Sequence, residues 1–92
     1  MNYNLFITYD LRGVNRDYSV IEKAITSLGA AVHTELSVWY LRTQYNGRTI
    51  ADTLWKQMQS NDRLLVIDVT SQDAFSYGIS DVMNRIAALW NV

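Results

Sequence analysis

The run at residues 4–10 constrains the fold of this chain more than any other stretch. It consists of apolar and β-favouring residues and ends abruptly at a carboxylate, Asp10. A short apolar run of this kind predicts a buried strand, with Asp10 placed where the strand leaves the sheet. A polar loop with two arginines follows at residues 11–16. The loop makes Asp10 a candidate for metal or proton chemistry, or for an Asp that stabilises the turn.

Three later segments have apolar residues at helical spacing. Each segment places these residues along one side, which predicts an amphipathic helix. Gly29 follows the first segment and is a good residue to end a helix. Thr49, with an acidic residue three positions later, resembles a capping box and predicts the start of the second helix. The predicted helices span residues 17–28, 49–59 and 80–90.

The remaining regular segments favour strands. Residues 63–70 form a second, nearly continuous apolar run, which is typical of a strand buried on both faces. The region from 30 to 43 is rich in β-favouring residues and is long for one strand. It predicts either a short strand at 31–34 followed by a longer one at 36–43, or a single bulged strand. Residues 74–77 suggest a further short edge strand.

The order of these segments predicts an α+β fold in one domain spanning residues 1–92. The order β-α-β-β-α-β is that of the ferredoxin-like fold, with an antiparallel sheet, two helices on one face and an extra C-terminal helix. We expect the runs at 4–10 and 63–70 to form the central pair. If these strands are neighbours, Asp68 is a candidate to join Asp10. The other sheet face would be covered by the terminal helix or by a partner.

Composition excludes several kinds of site. The chain has 92 residues, no cysteine and one histidine, which excludes thiolate metal sites and His-pair zinc sites. A net charge of −1 does not indicate a broad surface for nucleic acid. No apolar run approaches the length of a membrane span, so we expect a cytoplasmic protein without a membrane partner. Aromatic residues make up 12% of the chain, and such a share favours a homodimer.

Several short motifs, in this order, resemble one family. The chain is similar to the small CRISPR-associated endoribonucleases of the spacer-adaptation complex, and closer still to their Cas-two-like (SinR-type) relatives. The virulence-associated protein D ribonucleases are similar in fold. The resemblance covers residues 3 to about 70. It is carried by Tyr9-Asp10, the arginines Arg12 and Arg16, Leu28-Gly29, Ser37-Val38-Trp39 and the segment 61–66.

The resemblance implies a homodimer in which two strand-end aspartates meet near the two-fold axis. Asp10 would be the catalytic residue and would bind Mg²⁺ or Mn²⁺, which activates water for cleavage of RNA or DNA. Arg12 and Arg16 would contact phosphates. Ser37 would lie near the same site, and Tyr9 would flank it.

A second hypothesis needs no catalysis. Asp10 would then cap a turn, and the two arginines would be ordinary solvated charges. The chain would be a dimeric module that binds a protein or a nucleic acid in a defence, toxin–antitoxin or phage system. The acidic isoelectric point of about 5.6 favours this hypothesis.

Overall fold

The structure, a computed structural model, describes residues 2–73, 75 and 77–90. Strands and helices alternate along this part of the chain except for one pair of consecutive strands, and a helix is the last element. In chain order the elements are β1 (Tyr3–Asp10), α1 (Tyr18–Ser27), β2 (Ala30–Glu35), β3 (Val38–Thr43), α2 (Gly47–Trp55), β4 (Arg63–Asp68) and α3 (Ser80–Trp90).

The four strands form one sheet in the order β2-β3-β1-β4, and every neighbouring pair is antiparallel. The predicted α+β class with an antiparallel sheet is therefore confirmed, and the arrangement is compatible with a ferredoxin-like fold. The expected central pair is wrong, because β1 lies beside β3 in the middle and β4 lies at the edge. The burial on both faces predicted for the second apolar run is also wrong, because no residue of β4 is buried. An apolar run does not say whether its strand has one neighbour or two.

Helices α1 and α2 pack on the same face of the sheet. Ile21 and Ile25 of α1 join Ile50 and Leu54 of α2 in one buried cluster, together with alternate residues of β1 and β3. Side chains four positions apart lie on one side of a helix, so each helix presents its apolar side to the sheet. Helix α3 packs on the other face, where Ile86 contacts a second cluster.

Helix α3 covers mainly the β2–β3 half of its face. On the β1–β4 half, Leu65 and Ile67 remain 55% and 45% exposed. They lie directly opposite Thr8 and Phe6 of β1, and Phe6 packs against the α3 cluster. We call the uncovered part of this sheet surface the open face, and it comprises Thr8, Asp10, Arg63, Leu65 and Ile67.

Asparagine and aspartate side chains begin the first two helices. Asp17 accepts a hydrogen bond from the backbone N–H of Ser19 at the start of α1. Asn46 accepts one from Thr49 at the start of α2. Thr49 is therefore inside the helix, and the capping box predicted to begin there is wrong. Helix α2 also ends at Trp55, earlier than expected.

The region from 30 to 43 forms a hairpin of two strands. The break falls at Leu36, which has a positive φ of 41°, and the pairing shifts between His33 and Glu35. The two-strand prediction is confirmed, and the bulge that was its alternative is also present. The short strand predicted at 74–77 includes residues 74 and 76, which lie outside the described residues. In the described part of the chain, no helix is long and apolar enough to cross a membrane.

Candidate functional site

Asp10 lies at the end of β1 on the open face. Its side chain is 54% exposed, and its Oδ2 accepts a hydrogen bond from the Arg12 guanidinium at 2.8 Å. The two residues follow each other closely, so the pair forms where the strand passes into the loop. An exposed ion pair of this kind contributes little to stability. Both groups are therefore available to a ligand.

Arg16 is held differently, because its guanidinium forms a two-pronged ion pair with Asp62. Nη1 lies 2.5 Å from Oδ1, and Nη2 lies 2.7 Å from Oδ2. The Asp62 side chain is fully buried, and that of Arg16 is 15% exposed. Parallel N–H···O bonds of this type fix the orientation of the guanidinium against the carboxylate and also pair their charges. The structure therefore engages Arg16 within the protein and leaves Arg12 at the surface.

Asp62 connects two loops at the strand end. Its carboxylate also accepts hydrogen bonds from the backbone N–H of Arg12 at 2.9 Å and of Gln59 at 2.7 Å. Four donors thus fill the acceptor sites that a carboxylate offers. The hydrogen bonds from Arg16 hold the pKa of Asp62 well below its usual range, although burial opposes this shift. Asp62 orders the β1–α1 loop, in which Gly13 and Asn15 take positive φ.

Sequence reasoning missed both Asp62 and Arg63. Asp62 follows Ser60-Asn61 and is indistinguishable in the sequence from a solvated turn residue. Arg63 is exposed at the start of β4 and lies directly opposite Asp10 in the sheet. The proximity of Arg63 to Asp10 can be inferred only once the pairing of β1 with β4 is known, because β1 ends where its antiparallel neighbour begins.

The strand end carries a local excess of positive charge in a chain whose net charge is −1. Arg12 and Arg63 lie around the single carboxylate of Asp10, whereas Arg16 and Asp62 neutralise each other. A shallow cavity of about 310 Å³ opens here. Its lining residues are Thr8, Tyr9, Asp10, Arg63, Leu64 and Leu65.

The side chain of Tyr9 does not share the face of Asp10. Tyr9 is buried on the α1–α2 side, where its hydroxyl accepts a hydrogen bond from Trp39 at 3.2 Å. Burial raises the pKa of Tyr9, so the hydroxyl stays protonated at neutral pH. Ser37 lies next to this strand end, since its carbonyl accepts a hydrogen bond from the Tyr9 N–H. Successive side chains of a strand point to opposite faces, which separates Tyr9 from Asp10.

Asp68 does not join Asp10. The predicted meeting of Asp68 and Asp10 required β1 and β4 to be neighbours. They are neighbours, but they are antiparallel. Asp68 lies opposite Leu5, and Asp10 lies opposite Arg63. The two carboxylates are therefore at opposite ends of the sheet.

The described carboxylates of one chain are not grouped as a metal site. Among the described residues, no three histidine, aspartate or glutamate side chains are grouped to hold an ion. Asp62 is saturated by its donors, so Asp10 is the only carboxylate of this strand end, within the described chain, that is open to a cation. A divalent ion bound here would need ligands in addition to Asp10.

No protein-family model matches the sequence, and no curated protein matches it.

Proposed function

We propose that the chain forms a ferredoxin-like homodimer that cleaves RNA or DNA with a divalent metal held by Asp10 of both subunits. The observation that carries this proposal is the position of Asp10 on the open face, exposed and beside Arg12 and Arg63. A carboxylate among cations at an uncovered sheet surface suits a phosphodiester, whose charge needs both a metal and positive side chains.

Each residue of the strand end has its own role in the proposed reaction. Arg12 and Arg63 bind the phosphate, since both side chains are exposed at the strand end. Arg16 positions Arg12, since it donates a hydrogen bond to the Arg12 carbonyl at 2.6 Å and is itself held by Asp62. Ser37 lies at the rim of the site. Mg²⁺ or Mn²⁺, when bound, supplies an activated water.

The open face is also the surface that the dimer would bury. Leu65 and Ile67 lie beside Asp10 on this surface and keep about half of their area exposed. Burial of exposed apolar area stabilises association by about 25 cal/mol per Å². Contact between two open faces would place both Asp10 residues at one interface.

We expect replacement of Leu65 and Ile67 by lysine to convert the dimer to a monomer, because four charges would enter its interface. Sedimentation velocity measures the change. The control is Val20→Lys, which alters a side chain of α1 that is 45% exposed and should leave the dimer intact. The melting temperature of the double variant should be only a few degrees below that of this control. A double variant that stays dimeric contradicts this interface.

Asp10→Ala tests the chemistry. Purified protein is incubated with labelled RNA and DNA in Mg²⁺, Mn²⁺ or EDTA, and cleavage is followed on gels. We expect metal-dependent cleavage that falls on the order of 100-fold or more in Asp10→Ala, the scale found when one electrostatic stabilising group is lost. The fold should be retained, since the Asp10–Arg12 pair is exposed.

Asp73→Ala is the matched control, because it removes an exposed carboxylate away from the strand end. Its cleavage rate should equal that of the parent protein. Equal activity in Asp10→Ala and the parent, or no metal-dependent cleavage in either, would reject the proposed nuclease.

The second candidate function is a non-enzymatic dimeric module that binds a protein or a nucleic acid. The observation that favours it is the single open carboxylate at the strand end of the described chain, together with the net charge of −1. This module predicts binding without turnover, and Asp10→Ala would then leave binding within about twofold.

A further inference from the structure

The outer edge of β4 presents backbone groups that no strand of the described chain uses. The Val69 N–H donates to the Asn4 carbonyl, and the Tyr9 N–H donates to the Ser37 carbonyl. Hydrogen bonds of an antiparallel strand alternate between its two sides. Even-numbered residues of β1 therefore bond to β4, and the N–H and C=O groups of Leu64, Val66 and Asp68 point outward. No strand pairs with this edge within residues 2–73, 75 and 77–90.

This edge lacks several of the features that block strand addition, and its two charged residues, Arg63 and Asp68, stand at its ends. Natural sheets protect edges with proline, lysine, bulges or very short strands. Strand β4 has six residues, Arg63–Asp68, without proline or lysine, and its register with β1 is regular throughout. An edge that stays open in this way is a template for one more strand.

A groove runs beside the same edge. We call it the α2–β4 groove; it is open to solvent and has a volume of about 450 Å³. Trp55, which is 42% exposed, lines it with Ala51 from α2 and Leu64 from β4. The volume and the apolar walls suit one large apolar side chain. The other lining residues are Asp52, Asp62 and Arg63.

The charges of the α2–β4 groove favour an acidic ligand. Asp52 is paired with Arg48 at 3.2 Å, and Asp62 is neutralised by Arg16. Arg63 has no ion pair within the described part of the chain. One unpaired cation therefore stands at the end of the groove, next to its apolar wall.

We propose that an extended peptide of a partner protein adds to β4 as a fifth, antiparallel strand in the α2–β4 groove. A large apolar side chain opposite Leu64 fills the cavity against Trp55, and the next residue, Asp or Glu, pairs with Arg63. Backbone bonds to Leu64 and Val66 supply affinity, and the alternate side chains supply specificity. The antiparallel direction continues the pairing found throughout the sheet. This binding surface shares Arg63 with the proposed phosphate contacts, but it uses neither Asp10 nor a metal.

The direction of the peptide fixes its pattern. In a hexapeptide that covers β4, the sixth residue lies opposite Arg63, the fifth opposite Leu64 and the third opposite Val66. Fifth and third side chains point to the α2 side, where the cavity lies. The fourth and second lie on the open face beside Leu65 and Ile67. The expected pattern is therefore apolar at the fifth position and acidic at the sixth.

A positional-scanning library of fluorescent, acetylated hexapeptides tests this pattern with the full chain. Binding is measured by fluorescence polarisation in EDTA, so the result is independent of any metal and of nuclease activity. We expect Phe, Leu or Trp to be preferred at the fifth position and Asp or Glu at the sixth. A library without preference at these positions overturns the proposal.

A charge-exchange experiment tests more specifically whether the sixth peptide residue pairs with Arg63. The best acidic peptide should bind Arg63→Glu at least about tenfold more weakly, and the same peptide with lysine at the sixth position should recover binding to that variant. Trp55→Ala should also weaken binding about tenfold. The matched control is Lys23→Glu, an exposed charge on α1, which should leave affinity unchanged. Equal binding to Arg63→Glu and the parent protein contradicts the proposed register.

Backbone pairing is tested separately by N-methylation of the peptide. Methylation of the fifth residue removes an N–H that points to Leu64 and should abolish binding, whereas methylation of the fourth removes one that points outward and should have little effect. Equal losses at both positions, or no loss at either, overturn strand addition.

Discussion

Asp62→Ala is expected to lower the melting temperature by roughly 10 °C, the largest effect of any single carboxylate among the described residues. The variant leaves the Arg16 guanidinium buried without its counter-charge. It also removes the acceptor of the Arg12 and Gln59 backbone N–H groups. Unpaired buried donors destabilise a fold more than the loss of a surface contact does. Thermal unfolding followed by circular dichroism measures the difference.

Asp52→Ala is the control for this prediction. Asp52 also pairs with an arginine, Arg48, but both side chains are largely exposed and the distance is 3.2 Å. Exposed pairs spaced four residues apart on a helix contribute little, so we expect a change of about 2 °C or less. Similar melting temperatures for Asp62→Ala and Asp52→Ala would show that the buried pair does not order the loop.

The same carboxylate makes stability depend on pH. Hydrogen bonds from Arg16 lower the pKa of Asp62 in the folded chain, whereas an unfolded Asp has a pKa of about 3.9. A lowered folded pKa stabilises the protein above the unfolded pKa, and this stability is lost as the pH falls towards the folded value. The melting temperatures of the parent protein and Asp62→Asn should therefore differ at pH 7, and this difference should begin to shrink below about pH 4 and decrease further towards pH 3. A constant difference from pH 7 to pH 3 contradicts this linkage.

Gly29→Ala is expected to reduce the free energy of unfolding by about 2–4 kcal/mol. A domain of this size has about 5–14 kcal/mol in total, so the loss is large. A Cβ at Gly29 would overlap the Arg42 carbonyl oxygen and would lie 3.2 Å from the Thr43 Cα. These are backbone atoms of β3, which cannot rotate away as a side chain can. Urea unfolding at equilibrium measures the loss.

Gly47→Ala provides the comparison at a second glycine. A Cβ there would meet the Val66 and Leu5 side chains at 3.7 and 3.9 Å, which is ordinary contact. Gly47 is the first residue of α2, and alanine favours helices over glycine by up to ~1 kcal/mol. Stability should be unchanged or slightly raised. Equal losses at both glycines would show that the close approach of Gly29 to β3 does not limit the fold.

Gly29 also shows how a correct sequence signal can have another cause. The helix does end just before it, as the sequence predicts. Its φ is not positive, since the positive-φ glycines among the described residues are Gly13 and Gly78. Gly29 is required because β3 passes too close for any side chain. That neighbour is 13 residues away in the chain, so no local pattern could reveal it.

The sequence by itself indicated the α+β class and most of the helices and strands that the structure describes. Ile21 and Ile25 recur at helical spacing, and the apolar run at 4–10 has the length of a buried strand, because these periodicities depend only on residues close in the chain. The sequence also identified Asp10 and Arg12 as candidate site residues. They lie two positions apart at the end of that strand and form an exposed ion pair in the structure.

Only the tertiary structure decided which residues meet. Antiparallel pairing brought Arg63 to Asp10 and took Asp68 to the far end of the sheet. The alternation of faces buried Tyr9 while its neighbour Asp10 stayed exposed. The ion pair between Arg16 and Asp62 spans 46 positions. Contacts of this kind depend on strand order and register, which arise from packing of the whole chain and leave no periodic trace in its sequence.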